Sequence, residues 1–310
     1  MYILALAGMV MFSACSSDDD DNKTDLKTPK YESISAKYEI TEQGSNIQSL
    51  ELTASGNFII IKKSTSYYAP ERRGIAQNIF MNRINATRAH SYRDIIYGKF
   101  VKLGNDKYEL EDWGTVTITK SEDNYVNLSI TYENGQNEVL GARKEEQYKS
   151  SSATDNLCRS WNISEITLST EMNGKKFEKT AKHNNMKELF TSYMNWMIKN
   201  FAGNIEVPKN EIAEMIDEYV EEYNESKPLS VIFTKSGSYM VHYNNDMMGI
   251  ATWKWENKDE NVIRYSWDHS NINNGGLCDI SYSGNMLLIK ESKKQEGVSV
   301  SVTYGMTEMK

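Results

Sequence analysis

For most of its length the chain alternates apolar and polar positions with a period of two. Val298, Val300 and Val302 alternate with Ser299, Ser301 and Thr303, and Ala251, Trp253 and Trp255 alternate with Thr252, Lys254 and Glu256. Successive side chains of a strand point to opposite faces, so such runs predict strands with one face buried and one solvated. Strands are predicted at 47–52, 58–61, 95–103, 107–111, 114–120, 125–132 and 136–142, then at 159–168, 228–235, 238–243, 247–256, 261–267, 276–283, 285–291 and 297–304. Turn residues separate them, among them Ala54-Ser55-Gly56-Asn57, Gly104-Asn105-Asp106 and Asn134-Gly135. The period then changes over 184–225. Met186, Leu189, Phe190, Tyr193, Met197 and Phe201 follow helical spacing, as do Ile212, Met215, Ile216, Tyr219, Val220 and Tyr223. Gly203-Asn204 ends the first helix and Pro208 opens the second, which predicts a helical hairpin packed on β-structure.

Lys149 to Asp155 is small and polar, so 150–156 reads as a linker between a first domain at 32–149 and a second at 157–310. The two halves share pieces in the same order. Leu52-Thr53-Ala54-Ser55-Gly56-Asn57-Phe58 matches Phe233-Thr234-Lys235-Ser236-Gly237-Ser238-Tyr239, and Gly114-Thr115-Val116-Thr117-Ile118 matches Gly276-Leu277-Cys278-Asp279-Ile280. The first half carries an insertion without strand character at 64–93, the second its helical hairpin. The expected fold is mainly β: two antiparallel meanders or barrels on one plan, interrupted at different loops.

A family resemblance sharpens this. Leu157-Cys158-Arg159-Ser160-Trp161, the hairpin from Phe233 to Tyr239 and Gly249-Ile250-Ala251-Thr252-Trp253-Lys254-Trp255 resemble the lipocalin-like domains of Bacteroidetes lipoproteins. The resemblance implies an eight-stranded barrel with Trp161 plugging its base. Arg159 stands where that family carries Gly. The first half has Lys37-Tyr38 where a Trp is expected.

The amino terminus points the same way. An apolar run from Tyr2 to Phe12 leads into Ser13-Ala14-Cys15, followed by Ser16-Ser17 and four Asp. The run falls short of the ~20 residues that span a bilayer, and the Asp run cannot enter a core unpaired. Residues 1–14 therefore read as a signal peptide and 15–31 as a disordered acidic tether. Met1 to Ala14 holds no Lys or Arg, so the native start is expected upstream. Ser13-Ala14-Cys15 resembles a lipobox, and the Ser/Asp stretch resembles the surface-export signal of Bacteroidetes lipoproteins. That implies acyl chains on Cys15, an outer-membrane lipid partner and exposure at the cell surface.

The net charge of -8 excludes a general nucleic-acid binder, which would carry a basic face. No His-Glu-x-x-His, Gly-x-Ser-x-Gly or phosphate-binding Gly loop occurs, and His90, His183, His242 and His269 lack metal-ligand spacing. Asp268-His269-Ser270 are adjacent, so they cannot bond in nucleophile–base order on a strand. A non-enzymatic protein without cofactor or metal is expected. Cys158 and Cys278 remain as a candidate disulfide or as two buried thiols. Trp161, Tyr239, Tyr243, Trp253, Trp255, Tyr265 and Trp267 are candidates to line a ligand site or to pack a core. Arg72, Arg73, Arg83 and Arg88 are a candidate anion patch or a solvated face. The expected function is a lipid-anchored carrier of a small apolar ligand in the second barrel. The alternative is a surface module binding glycan or an envelope protein.

Overall fold

The computed structural model describes residues 26–63, 95–201, 208–225, 227–244, 248–267, 272–295 and 297–309. Cys15, the candidate patch of Arg72, Arg73, Arg83 and Arg88, and Asp268-His269-Ser270 lie outside the described residues.

Two antiparallel eight-stranded barrels follow one another. The first comprises β1 (Ala36–Ile40), β2 (Ile47–Leu52), β3 (Asn57–Lys62), β4 (Ile95–Gly104), β5 (Lys107–Leu110), β6 (Gly114–Glu122), β7 (Tyr125–Tyr132) and β8 (Asn137–Lys144). Each strand pairs with the next and β8 closes on β1. Its core is mainly aliphatic: Leu50, Leu52, Ile60 and Leu128 are buried together with Phe58, Phe100, Tyr38 and Tyr108.

The second barrel is β9 (Ser160–Met172), β11 (Pro228–Phe233), β12 (Ser238–Tyr243), β13 (Met248–Trp255), β14 (Val262–Ser266), β15 (Gly276–Ser283), β16 (Met286–Gln295) and β17 (Val298–Glu308). β9 closes it by pairing with β17 from Trp161 to Met172. On its other edge β9 holds β11 only through Ser160, Trp161 and Asn162. Beyond that point β10 (Lys175–Lys182) takes the same edge, from Glu165 to Met172. The helical hairpin follows: α2 (Met186–Phe201) and α3 (Lys209–Glu225). Phe177 of β10 packs on Tyr193 and Trp196 of α2, and Leu189, Phe190, Ile216 and Tyr223 join the core of the second barrel.

The internal repeat is structural. In the β2–β3 hairpin the Thr53 amide donates to the Asn57 carbonyl at 2.8 Å and the Gly56 amide to the Thr53 carbonyl at 3.1 Å. In the β11–β12 hairpin Thr234 donates to Ser238 at 3.0 Å and Gly237 to Thr234 at 3.1 Å. Gly56 and Gly237 hold φ of 83° and 80°, where a Cβ is strained. The carbonyls of both glycines accept from the fourth strand, Gly56 from Phe100 and Gly237 from Trp253, each at 2.9 Å. The second matched pair falls on β6 and β15, the sixth strand of each barrel.

The barrels touch through their equivalent strands. Outward-facing Ile59 meets Ile232, Met240 and Ile250 in a separate apolar cluster. Strands buried on both faces read as continuous apolar runs, as Phe58-Ile59-Ile60-Ile61 does. At one end of this junction Lys235 Nζ bonds Glu32 at 2.5 Å, Asp155 at 2.7 Å and Ser150 Oγ at 3.1 Å.

Two expectations are corrected, and one alternative is decided. Residues 152–157, read largely as linker, form α1 (Ser152–Leu157), because Ser151 accepts the Thr154 amide at 3.0 Å as an N-cap. Residues 26–31, read as tether, dock across the junction. Leu26 packs on the second core, Tyr31 stacks near Phe100, and the Lys27 carbonyl accepts from Arg159 at 2.5 Å. Arg159 also pairs with Glu308 at 2.8 Å. The residue that departs from the family's Gly therefore clamps this strap to the barrel base. Of the two readings left open for Cys158 and Cys278, the structure agrees with the pair of buried thiols: both are free. Cys278 lies four residues along β15 from Tyr282, whose ring faces Trp161 near the base where Cys158 sits. Four strand residues span about 13 Å, well past bridging distance.

Candidate functional site

The seven aromatic residues singled out in the sequence belong to one core in the second barrel: Trp253 and Tyr265 are cross-strand partners, and the Phe233 ring joins Trp253 to Tyr239 at 5.8 and 4.7 Å. At the base, Trp161 and Trp253 are fully buried and their indoles donate to the carbonyls of Leu157 and Thr234, each at 3.0 Å. Trp255 donates to Thr154 Oγ1 of α1 at 2.9 Å, and Tyr148 packs on Trp253 with its hydroxyl on the Trp253 carbonyl at 2.7 Å. Every indole here has its partner, so this group is a plug.

Tyr239, Tyr243, Tyr265 and Trp267 continue this core along β12 and β14. Tyr239 stands 5.7 Å from Tyr265 and 5.9 Å from Trp267, ring to ring. Trp267 lies over Gly249, where a Cβ would come within 2.8 Å of the indole. Glu291, Tyr304 and Cys278 are buried in the same barrel, and the sequence reading singled out neither Glu291 nor Tyr304. Glu291 accepts from the Tyr265 hydroxyl at 3.2 Å, with Cys278 Sγ at 3.7 Å. It is 7% exposed. Strand parity carried the signal, because Leu287, Ile289 and Glu291 share one face of β16. A charged residue is almost never fully buried unless paired, so the default reading sends it to solvent.

Burial pushes the hydroxyls of Tyr239, Tyr243, Tyr265 and Tyr304 above the ordinary tyrosine range, and the Glu291 charge pushes each further. Burial, then Glu291, raises the Cys278 thiol likewise. These groups are therefore protonated at neutral pH. They offer hydrogen bonds, not an activated nucleophile. The Tyr304 hydroxyl and Trp267 Nε1 are buried without a hydrogen-bond partner among the described residues. A buried polar atom left unpaired costs about 1–3 kcal/mol, which marks a place where a further partner is favoured.

The helical hairpin meets this core. Tyr223 of α3 packs edge-on to His183 at 6.0 Å, and the Asn244 side chain at the end of β12 donates to the Asn224 carbonyl of α3. Burial, then Lys227, pulls the His183 pKa down to about 4. His183 is thus neutral in the fold, while the unfolded chain takes up its proton below about pH 6.5. Its contribution is complete above that pH and is lost as pH falls towards 4. The urea midpoint is expected to drop over this window by the equivalent of roughly 2 kcal/mol or less, and His183→Phe to flatten that part of the profile.

An outer groove of roughly 400 Å³ runs over β9, β10, β16 and β17, lined by Glu165, Thr167, Ser169, Glu178, Lys290 and Thr303, among others. No aromatic side chain lines it.

No family model matches the chain, and no curated protein matches it. A crystal structure of a protein of unknown function from the DUF3598 family of Nostoc punctiforme aligns at 9% identity over 89% of this chain and 94% of that one. Its TM-score is 0.16, so the likeness carries no argument about this chain.

Proposed function

We propose that this protein is a lipid-anchored envelope lipoprotein whose second barrel binds a small, largely apolar ligand. One observation supports the binding reading: two barrels built on one plan are furnished differently inside. The first is mainly aliphatic, with Phe58, Phe100, Tyr38 and Tyr108 among its buried rings and no charged residue in its core cluster. The second holds Glu291, four tyrosines and Trp267, with two polar atoms left without partners. A packed core gains nothing from such groups, whereas small-molecule sites combine an apolar wall with a few convergent polar groups. The anchor at Cys15 rests on the signal anatomy of residues 1–21. No described helix is long and apolar enough to cross a membrane. The glycan alternative needs rings exposed on the surface. None of the six tryptophans is exposed, and Tyr125 is the one large aromatic ring exposed among the described residues, too little for a stacking platform.

The test is mass spectrometry of the full chain purified from its native membranes. The expected spectrum shows an amino-terminal peptide beginning at Cys15 with acyl mass added. It also shows a small molecule released on denaturation that rebinds and quenches tryptophan fluorescence. An unmodified Cys15 would sink the anchor, and a chain that releases and rebinds nothing would sink the carrier.

A further inference from the structure

The excursion that interrupts the second barrel is pinned at one residue. The chain leaves the wall along β10, runs through α2 and α3, and returns at Lys227-Pro228 into β11. His183 stands where β10 ends and is 7% exposed. Its amide donates to the Ser164 carbonyl of β9 at 2.9 Å. Its ring lies edge-on to Tyr223 in the last turn of α3 and reaches the Pro228 carbonyl. Departure and return therefore meet on this imidazole. The hold is local, because β9 and β11 share only three residues and the hairpin closes the rest of that wall with side chains.

The surroundings suit the neutral ring and not its cation. Nε2 is buried without a hydrogen-bond partner among the described residues, which costs a neutral acceptor little and a charged N–H a great deal. Facing it are Tyr223 from α3, Lys227 and Pro228 from the approach to β11, and the Ser164 carbonyl from β9. Burial keeps the Tyr223 hydroxyl protonated, so it brings no compensating charge. Lys227, partly desolvated itself, has the same sign as an imidazolium. The acids of the hairpin do not open it as pH falls through this range. Glu188 of α2 is held below the usual carboxylate range by Lys179, 2.7 Å away. Glu222 of α3 is raised by burial, Glu218 and Glu225, so taking up a proton relieves it and works in the opposite direction.

We propose that His183 is an acid-operated latch: its protonation frees the α2–α3 hairpin from the barrel wall in a local opening that leaves the β9–β17 seam closed. The opening is distinct from global unfolding and needs no ligand.

The test is amide hydrogen exchange of the full chain at about pH 7 and about pH 4.5, on either side of the window that His183 spans, corrected for intrinsic rates. Protection in α2 and α3 is expected to fall by about tenfold or more beyond any fall in β16 and β17. In His183→Phe the two regions should change together, to within about threefold. Lys227→Gln removes the like charge and leaves the imidazole in place, so its selective loss should be smaller than that of the wild type. Should the Phe variant fold poorly, this second comparison decides, and a selective loss equal to the wild type's counts against the latch. Equal loss across hairpin and barrel in the wild type, or a selective loss that survives in His183→Phe, overturns it.

Discussion

Replacing Trp161 by Ala is expected to destabilise the second barrel by about 3–5 kcal/mol. The indole is fully buried at the base, and its N–H satisfies the Leu157 carbonyl at the end of α1. Ala leaves a cavity the size of the ring, and the carbonyl loses its donor. Collapse into that cavity is limited, because the facing Tyr282 ring, 6.4 Å away, is held on β15 by its pairing with β16. Urea unfolding followed by near-ultraviolet circular dichroism reads the loss. With a slope of about 2 kcal/mol per molar, the midpoint should fall by roughly 2 M. The first barrel has a separate core, so a signal from its own tyrosines should move much less. A midpoint unchanged in Trp161→Ala would remove the plug from the account of this fold.

Lys235→Met is the second large effect. The ammonium joins four pieces of chain: the strap at Glu32, the linker at Ser150, α1 at Asp155 and the repeated hairpin that carries it. Lys235 is only 9% exposed. Removing one partner of a buried ion pair leaves the other charge uncompensated, which typically costs about 3–5 kcal/mol. Here the two carboxylates are partly exposed, so water can recover some of that and the lower end is expected. Limited proteolysis should show it first, as cleavage within residues 26–35. The pH dependence has a definite sign. Burial works to lower the Lys235 pKa, yet its bonds to Asp155 and Glu32 raise it overall. A base whose pKa is raised on folding contributes fully below its unfolded value and loses that contribution as pH rises through the folded one. The junction should therefore hold at neutral pH and loosen above roughly pH 10.4. Met fills the space of the Lys stem without its charge, and the variant should lose this alkaline transition.

Much of the fold was legible because alternation and turn chemistry agree in this chain. β6, β7 and β15 stand within two residues of their predicted bounds, since each is a one-sided strand bounded by Gly, Asn or Asp turns. β10 was not read, because Lys175 to Lys182 offers only Phe177 and Ala181 as apolar marks. Its signal lay in the turn: Asn173 and Gly174 both take positive φ, the conformation that an Asn-Gly hairpin favours. The contact between barrels was half legible. Continuous apolar runs said that β3 and β12 bury both faces, but nothing in a run says against what. The candidate site was the least legible. Aromatic residues announced themselves, yet composition could not separate the plug of Trp161 and Trp253 from the rest of the core at Tyr239 and Tyr265. That division depends on which indoles find a carbonyl, and this is decided by α1 and the β11–β12 turn. Glu291 escaped for the converse reason. Its inward direction is fixed by strand parity, while its charge suggested water.

The second barrel is a hoop with one short weld. Seven of its eight seams are sewn along their strands, but β9 meets β11 over three residues before β10 takes the edge. Past Asn162 the circle is held shut on that side by the side chains of the hairpin leaning on the wall. Side-chain contacts yield more gradually than a ladder of backbone bonds and carry no register to restore. The wall beside α2 and α3 is therefore the compliant one. Amide hydrogen exchange is expected to be faster at the end of β11 that β9 leaves unpaired than along the β9–β17 seam.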